Sequence, residues 1–333
     1  MNMKYLSAIC LTAALSLGLN PQAKAQGESD PGFSTIGAMR TGANLQFSEG
    51  EFEFQKTQFS ISNTFAKGER DVKLFIPQAE VIAPLRDMGY FDVKLPIVAA
   101  TGELAHVFGL GDLTATYTQV INNSYYPDWT IQLTGGAMFG MGTASESDGA
   151  TRPLPMVYQS NLGSTDVIVG GNVSWKDYVV AAVAYQQPIF RYNENNYDRS
   201  AIGNDLLYSQ SDYQISRKLY RYGDVMFRLE GHYGGKRAGI SAGPLLIYHL
   251  RNDLYTDRMG YLNEIEGSKG LTVNLSGNAF VRLGRKGQVK LDVTGGFPIA
   301  HRDATPDGLT RQWMFMPRFT YFFKQENLLF RNF

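Results

Sequence analysis

The chain has 333 residues, with 31 basic and 31 acidic side chains, so its formal net charge is zero and it carries no nucleic-acid footprint. Aromatic residues make up 13% and there are 35 glycines, yet mean hydropathy is slightly negative at −0.22. Beyond residue 25 no apolar run approaches the ~18 residues of a membrane-spanning helix, which leaves strands as the only way such a composition crosses a bilayer.

Lys4 followed by the apolar stretch Tyr5 to Leu19, broken by Pro21 and closed by Ala23-Lys24-Ala25, has the order of a secretory signal peptide over 1–25. Cleavage is expected before Gln26. Cys10, the single cysteine, lies inside the apolar run after Ile9, which does not suit a lipoprotein site. The processed chain is therefore expected to have no disulfide and no thiolate chemistry. Residues 26–50 are polar and contain glycine and proline, and suit either a periplasmic lead or a small plug.

From residue 51 to 323 the sequence alternates apolar and polar residues in short segments. These fall at 51–61, 70–83, 90–99, 111–121, 129–141, 165–174, 178–187, 211–221, 224–234, 271–282, 289–297 and 311–323. The alternation is plainest in Leu271, Val273, Leu275, Gly277, Ala279 and Val281, opposed by Thr272, Asn274, Ser276, Asn278 and Arg282. The turn Gly284-Arg285-Lys286-Gly287 then starts a second strand. An all-β, antiparallel up-and-down transmembrane barrel of about twelve strands results, with 37–47 and 238–249 available to make fourteen. With twelve, short turns at 84–89, 122–128, 176–177, 222–223 and 283–287 alternate with longer connections, as periplasmic turns and outward loops do. This parity makes 238–249 part of a structured outward loop or an extension of its neighbours, unless it belongs to an extra pair. Tyr125, Tyr126, Trp129, Tyr220, Tyr222 and Trp313 are expected in interfacial girdles. Phe315, Phe319, Tyr321 and Phe323 alternate towards a closing strand that ends near 323, leaving 324–333 as a tail.

The run Phe108-Gly109-Leu110-Gly111-Asp112-Leu113-Thr114 is followed by Trp129-Thr130-Ile131-Gln132-Leu133, then Pro153-Leu154-Pro155-Met156 and Leu162-Gly163-Ser164-Thr165-Asp166. With Phe297-Pro298-Ile299 and Phe319-Thr320-Tyr321-Phe322-Phe323, this order resembles the outer-membrane phenol-degradation meta-pathway transporter family, fatty-acid-transporter-like barrels of Gram-negative bacteria. The resemblance spans roughly 70–323. It implies a channel for small, often hydrophobic or aromatic compounds, and brings over no binding residue. The chain departs from the family in a long stretch 235–269 and in the tail.

Gly109-Leu110-Gly111 lacks the third glycine and the βαβ setting of a dinucleotide loop. The histidines, His106, His232, His249 and His301, form no metal-ligand pair, and no Gly-x-Ser-x-Gly element accompanies Ser276, Asn274 and His232. No catalytic residue, cofactor or metal is expected. Alternation places Arg228, Glu230, His232, Lys290, Asp292 and Arg318 on the face turned to the lumen, as a polar wall or a selective constriction. The partners expected are outer-membrane lipid, the barrel-assembly machinery and a small-molecule permeant. The competing function is a non-transporting barrel that presents loops to a partner or anchors a periplasmic assembly.

Overall fold

A computed structural model describes residues 46–48, 51–85, 89–122, 128–149, 151–176, 178–191, 193–198, 213–284, 287–308 and 311–323. Residues 1–25, expected as a signal segment, most of 26–50, Tyr125, Tyr126 and the tail lie outside these.

Twelve antiparallel strands close into a barrel. In chain order they are β1 (Gln58–Gly68), β2 (Lys73–Leu85), β3 (Gly89–Thr101), β4 (Leu113–Asn122), β5 (Trp129–Phe139), β6 (Ser164–Trp175), β7 (Val179–Arg191), β8 (Asp224–Gly234), β9 (Ala238–His249), β10 (Gly270–Leu283), β11 (Val289–Ala300) and β12 (Arg311–Phe322). Each pairs with the next, and β12 returns to β1. A short extra strand, His106–Leu110, pairs with the outer part of β3 ahead of β4.

Burial alternates along the strands with period two. In β1 it runs buried at Ser60, Ser62 and Thr64 and exposed at Phe59, Ile61 and Phe65. The polar residues thus point inward and the apolar ones outward, the reverse of a soluble core and the arrangement that lipid demands. Trp129, Trp175 and Tyr178 stack beside one another at the end of the barrel that carries the short turns, with ring centroids 6.5 and 6.1 Å apart. They form part of an interfacial girdle there. Trp313 is exposed at the opposite end of the wall.

The strand count agrees with the sequence reading, but one strand is exchanged. Residues 238–249 are β9, in full register with β8 and β10. Residues 213–221 pair with no barrel strand. The parity still holds, because the short turn at 222–223 is replaced by one at 235–237 and the outward connection shifts to 192–223. The first strand also begins later than 51: a short pairing of 46–48 with 51–52 and a 3-10 turn, Glu53–Gln55, precede it. Gly284 and Gly287 take φ of 83° and 61° in the β10–β11 turn, a left-handed conformation that glycine adopts without strain.

At the seam where the barrel closes, β12 meets β1 in two stretches. Arg311 and Trp313 pair with Gly68 and Lys67, and Arg318–Phe322 pair with Gln58–Ser62. The ladder is interrupted along Met314–Pro317, where Pro317 has no N–H to donate. The Phe323 N–H donates to the carbonyl of Thr57 just beyond the closing strand.

Candidate permeation site in the barrel lumen

The outer mouth is filled by the chain's own outward loops. The 3-10 turn Met156–Tyr158 brings Leu154, Val157 and Tyr158 against Val72, Leu74, Ala100, Met314 and Met316 of the inner wall, together with Tyr197 and Tyr213 from the next loop. Tyr158 is fully buried, accepts a hydrogen bond from the Leu104 N–H at 3.2 Å, and meets the Tyr213 ring edge-on at 6.0 Å. A second apolar cluster joins Met138 and Ile168 of the wall to Ala144, Met156, Leu162, Leu219, Ile265 and Ala304 of four loops. Asn161 Oδ1 accepts from the Ala144 and Gly163 N–H groups, and Asp112 accepts from the Leu162 N–H, so the loop backbone is bonded as well as packed.

Below this lid edge lies a buried ionic chain. Arg221 reaches Asp166 of β6 at 3.3 Å and Asp224 of β8 at 3.9 Å. His249, at the end of β9, stands between Asp224 and Asp253, with each ring nitrogen 2.8 Å from a carboxylate oxygen. Ser268 donates to the Ile265 carbonyl and accepts from the Asp253 N–H. Arg302 bonds the Ser268 carbonyl and pairs with Asp307. Three loops are thereby held to the rim through charged hydrogen bonds, the strong kind in a site that excludes water. Burial alone would raise the Asp307 carboxyl. The neighbouring Arg302, then Arg221 and His249, more than reverse this and hold it below the ordinary carboxylate value.

Deeper in the lumen the wall is polar. Arg318 of β12 bridges Asp292 of β11 at 3.2 Å and Glu80 of β2 at 3.4 Å, reaching across β1. Lys94 of β3 continues the arc to Glu80 and Asp92. On the other side Arg228 pairs with Glu230, and His232 Nε2 lies 3.4 Å from the same carboxylate. Beside the Arg228 row, on its own strand and the two that flank it, lies a small apolar patch of Ala182, Ala184, Met226, Leu245 and Ile247.

At the short-turn end the Glu53 side chain enters the barrel. It pairs with Arg282 of β10 and lies 3.4 Å from Lys290 of β11. The 3-10 turn that carries it packs against β2 and β3, so the segment crosses the opening.

The six residues taken from the sequence as lumen-facing are therefore found in three groups. Asp292 and Arg318 are bonded to each other, Arg228, Glu230 and His232 form one row, and Lys290 faces Glu53. His232 stands opposite Ser241, whereas Ser276 bonds the Gly243 carbonyl, so the register does not bring the His232 and Ser276 pair together. Among the described residues no group of three potential ligands is placed to hold a metal. Sequence reasoning missed the chain from Arg221 to Asp307 because its members are scattered over three loops. Only the density of Asp and Arg in 221–224, 251–253 and 302–307 signals it. Tyr220 and Tyr222, expected at a periplasmic girdle, sit instead on the outer side against Arg191 and Arg251.

The fold is similar to that of the crystal structure of an outer membrane channel from Pseudomonas putida F1. That structure is 12% identical, with a TM-score of 0.55 over 81% of this chain and 96% of that one. The NanC porin (10% identity, TM-score 0.43, 80% and 99% covered) and the KdgM porin (8%, 0.41, 80% and 99%) are more distant. The first likeness establishes a shared barrel fold; the other two carry no weight beyond it. No family model and no curated protein matches the sequence, so the narrower family that its motifs resemble has no match behind it.

Proposed function

We propose that the protein is an outer-membrane channel for small hydrophobic or aromatic compounds, exported by its signal segment with cleavage before Gln26. The observation that carries this reading is the division of the lumen. An apolar cluster of Tyr158, Tyr213, Met314 and Met316 packs across the outer mouth, above a polar wall whose charges are engaged with one another. A ring-bearing solute, unlike a hydrated ion, gains from leaving water beside such a cluster. Charged wall residues tied in pairs keep the lower lumen wet without holding a neutral permeant. Arg228, Glu230, His232, Lys290, Asp292 and Arg318 are the wall it passes. The channel-type structural neighbour supports the same reading. The barrel fold itself would be the same in a protein that transports nothing.

The test uses intact cells whose outer membrane limits entry. Expression of the chain raises the uptake rate of labelled toluene above that of cells without it. Entry unaffected by expression would sink the channel reading. A loop-presenting role is favoured by one feature, the hairpin 254–264, whose tip exposes Met259 and Tyr261 at 84% and 67%. If uptake fails, a co-purifying partner lost on deletion of 257–261 is the result this second reading requires.

A further inference from the structure

We propose that the short-turn end of the lumen holds a carboxylate-binding site made by Arg282, Lys290, Phe280 and Phe322, and that Glu53 of the chain's own N-terminal segment occupies it at rest. The ligand class that fits in place of Glu53 is a small aromatic carboxylic acid. This inference names a permeant class for the channel reading above and rests on it.

Three observations meet at the site. Glu53 is a carboxylate with its side chain 1% exposed, placed inside the barrel by a 3-10 turn that is no part of the wall. It is received by two cations on adjacent strands: Arg282, through its Nη2, and Lys290, whose Nζ is 3.4 Å from both carboxylate oxygens. Those cations stand against aromatic rings. Lys290 Nζ lies 4.9 Å from the Phe280 ring centre, and the Arg282 guanidinium lies 5.8 and 6.0 Å from those of Phe280 and Phe322.

The wall side of the site is independent of Glu53. Arg282 is anchored by its Nη1 to the Lys236 carbonyl and by its own N–H to the Arg237 carbonyl. The segment has ties of its own: Gln58 Nε2 donates to the Glu53 carbonyl, and the Lys56 N–H donates to the same oxygen. Buried cations require an anion beside them, so the departure of Glu53 is favourable only when another carboxylate takes its place. A guanidinium fork reads a carboxylate by geometry, and two rings at this distance receive the flat body attached to it. Glu53 then acts as an internal stand-in for the permeant, and the segment that blocks the opening is displaced by the solute it admits.

The experiment uses the full chain in lipid nanodiscs, with sodium benzoate as probe and benzyl alcohol as its neutral counterpart. Glu53→Gln binds benzoate about tenfold more tightly than the native chain does, the size expected for freeing one charge-assisted pairing, while benzyl alcohol is unaffected. Adding Lys290→Met to that variant removes the gain. Should Glu53→Gln fail to fold, the native barrel carrying Gln55→Cys gives the second readout: benzoate, and not benzyl alcohol, speeds thiol labelling at that position. Equal benzoate binding by Glu53→Gln and the native chain, or an equal response to the acid and the alcohol, overturns the proposal. The channel reading fails separately: benzoate bound without toluene entry leaves the site standing, and toluene entry without benzoate binding removes the site alone.

Discussion

Two adjacent glycines in β5 show how differently the two faces of the wall treat a side chain. A Cβ on Gly136 would lie 2.3 Å from the Ala115 carbonyl oxygen and 2.6 Å from the Thr116 Cα, both backbone atoms that cannot step aside, whereas nothing lies within 4 Å of one on Gly135. Gly136→Ala is expected to destabilise the barrel by about 1–3 kcal/mol, as overpacking does. Gly135→Ala stays within about 0.5 kcal/mol, as open surface changes do. Denaturant midpoints of the refolded protein, read beside heat-modifiable gel mobility, check both. The glycine pair is plain in the sequence, but the closeness of β4 is not. The same limit applies to the charged wall. Period two puts Arg228, Glu230 and His232 on one face, yet no spacing indicates that Lys290 faces Glu53, which is 237 residues away and precedes the first strand.

At the scale of elements, the exchange of 211–221 for 238–249 has a physical cause. β9 is apolar on both faces, because Leu245 and Ile247 line the inner patch while Ile240, Leu246 and Tyr248 point outward, and Pro244 sits in its middle. Its alternation is thereby erased. In the loop, Tyr213, Ile215, Leu219 and Arg221 do alternate, but they bury their apolar side in the lid instead of facing lipid. Period two reports one buried face and says nothing of what buries it. The lid's attachment is sensitive to acid. Asp307 is held below its ordinary value of 3.8, so the folded loops bind protons less readily than the unfolded chain. Its stabilising contribution is complete above 3.8 and is lost as pH falls through the lowered folded value. Hydrogen-exchange protection over 301–308, taken relative to the intrinsic rate at each pH, should stay high near neutrality and fall in strong acid. Asp307→Asn should lower it already at neutral pH, because Arg302 is left buried without that carboxylate, a loss of about 3–5 kcal/mol.

For the molecule as a whole, the alternation of short and long connections fixes twelve strands even though one is misplaced, since parity counts crossings and not residues. The closing strand ends at Phe322, with Phe315, Phe319 and Tyr321 on its outer face. Deletion of 324–333 should therefore leave a barrel that inserts and shows heat-modifiable mobility. Loss of the protein from the outer-membrane fraction would place the assembly signal in those ten residues.

The interrupted ladder between β12 and β1 has a different consequence. Met314, Met316 and Ala66, on the inner side of that stretch, are covered by Tyr158, Val157 and Leu154, which come from the middle of the chain. A loop that hangs from β5 and β6 thus fastens the two ends of the cylinder where their backbones let go. Residues 140–163 are in this sense a clasp, and the wall cannot tolerate their shortening as an ordinary surface loop would. Whatever reshapes the outer mouth thereby also acts on how firmly the cylinder is shut.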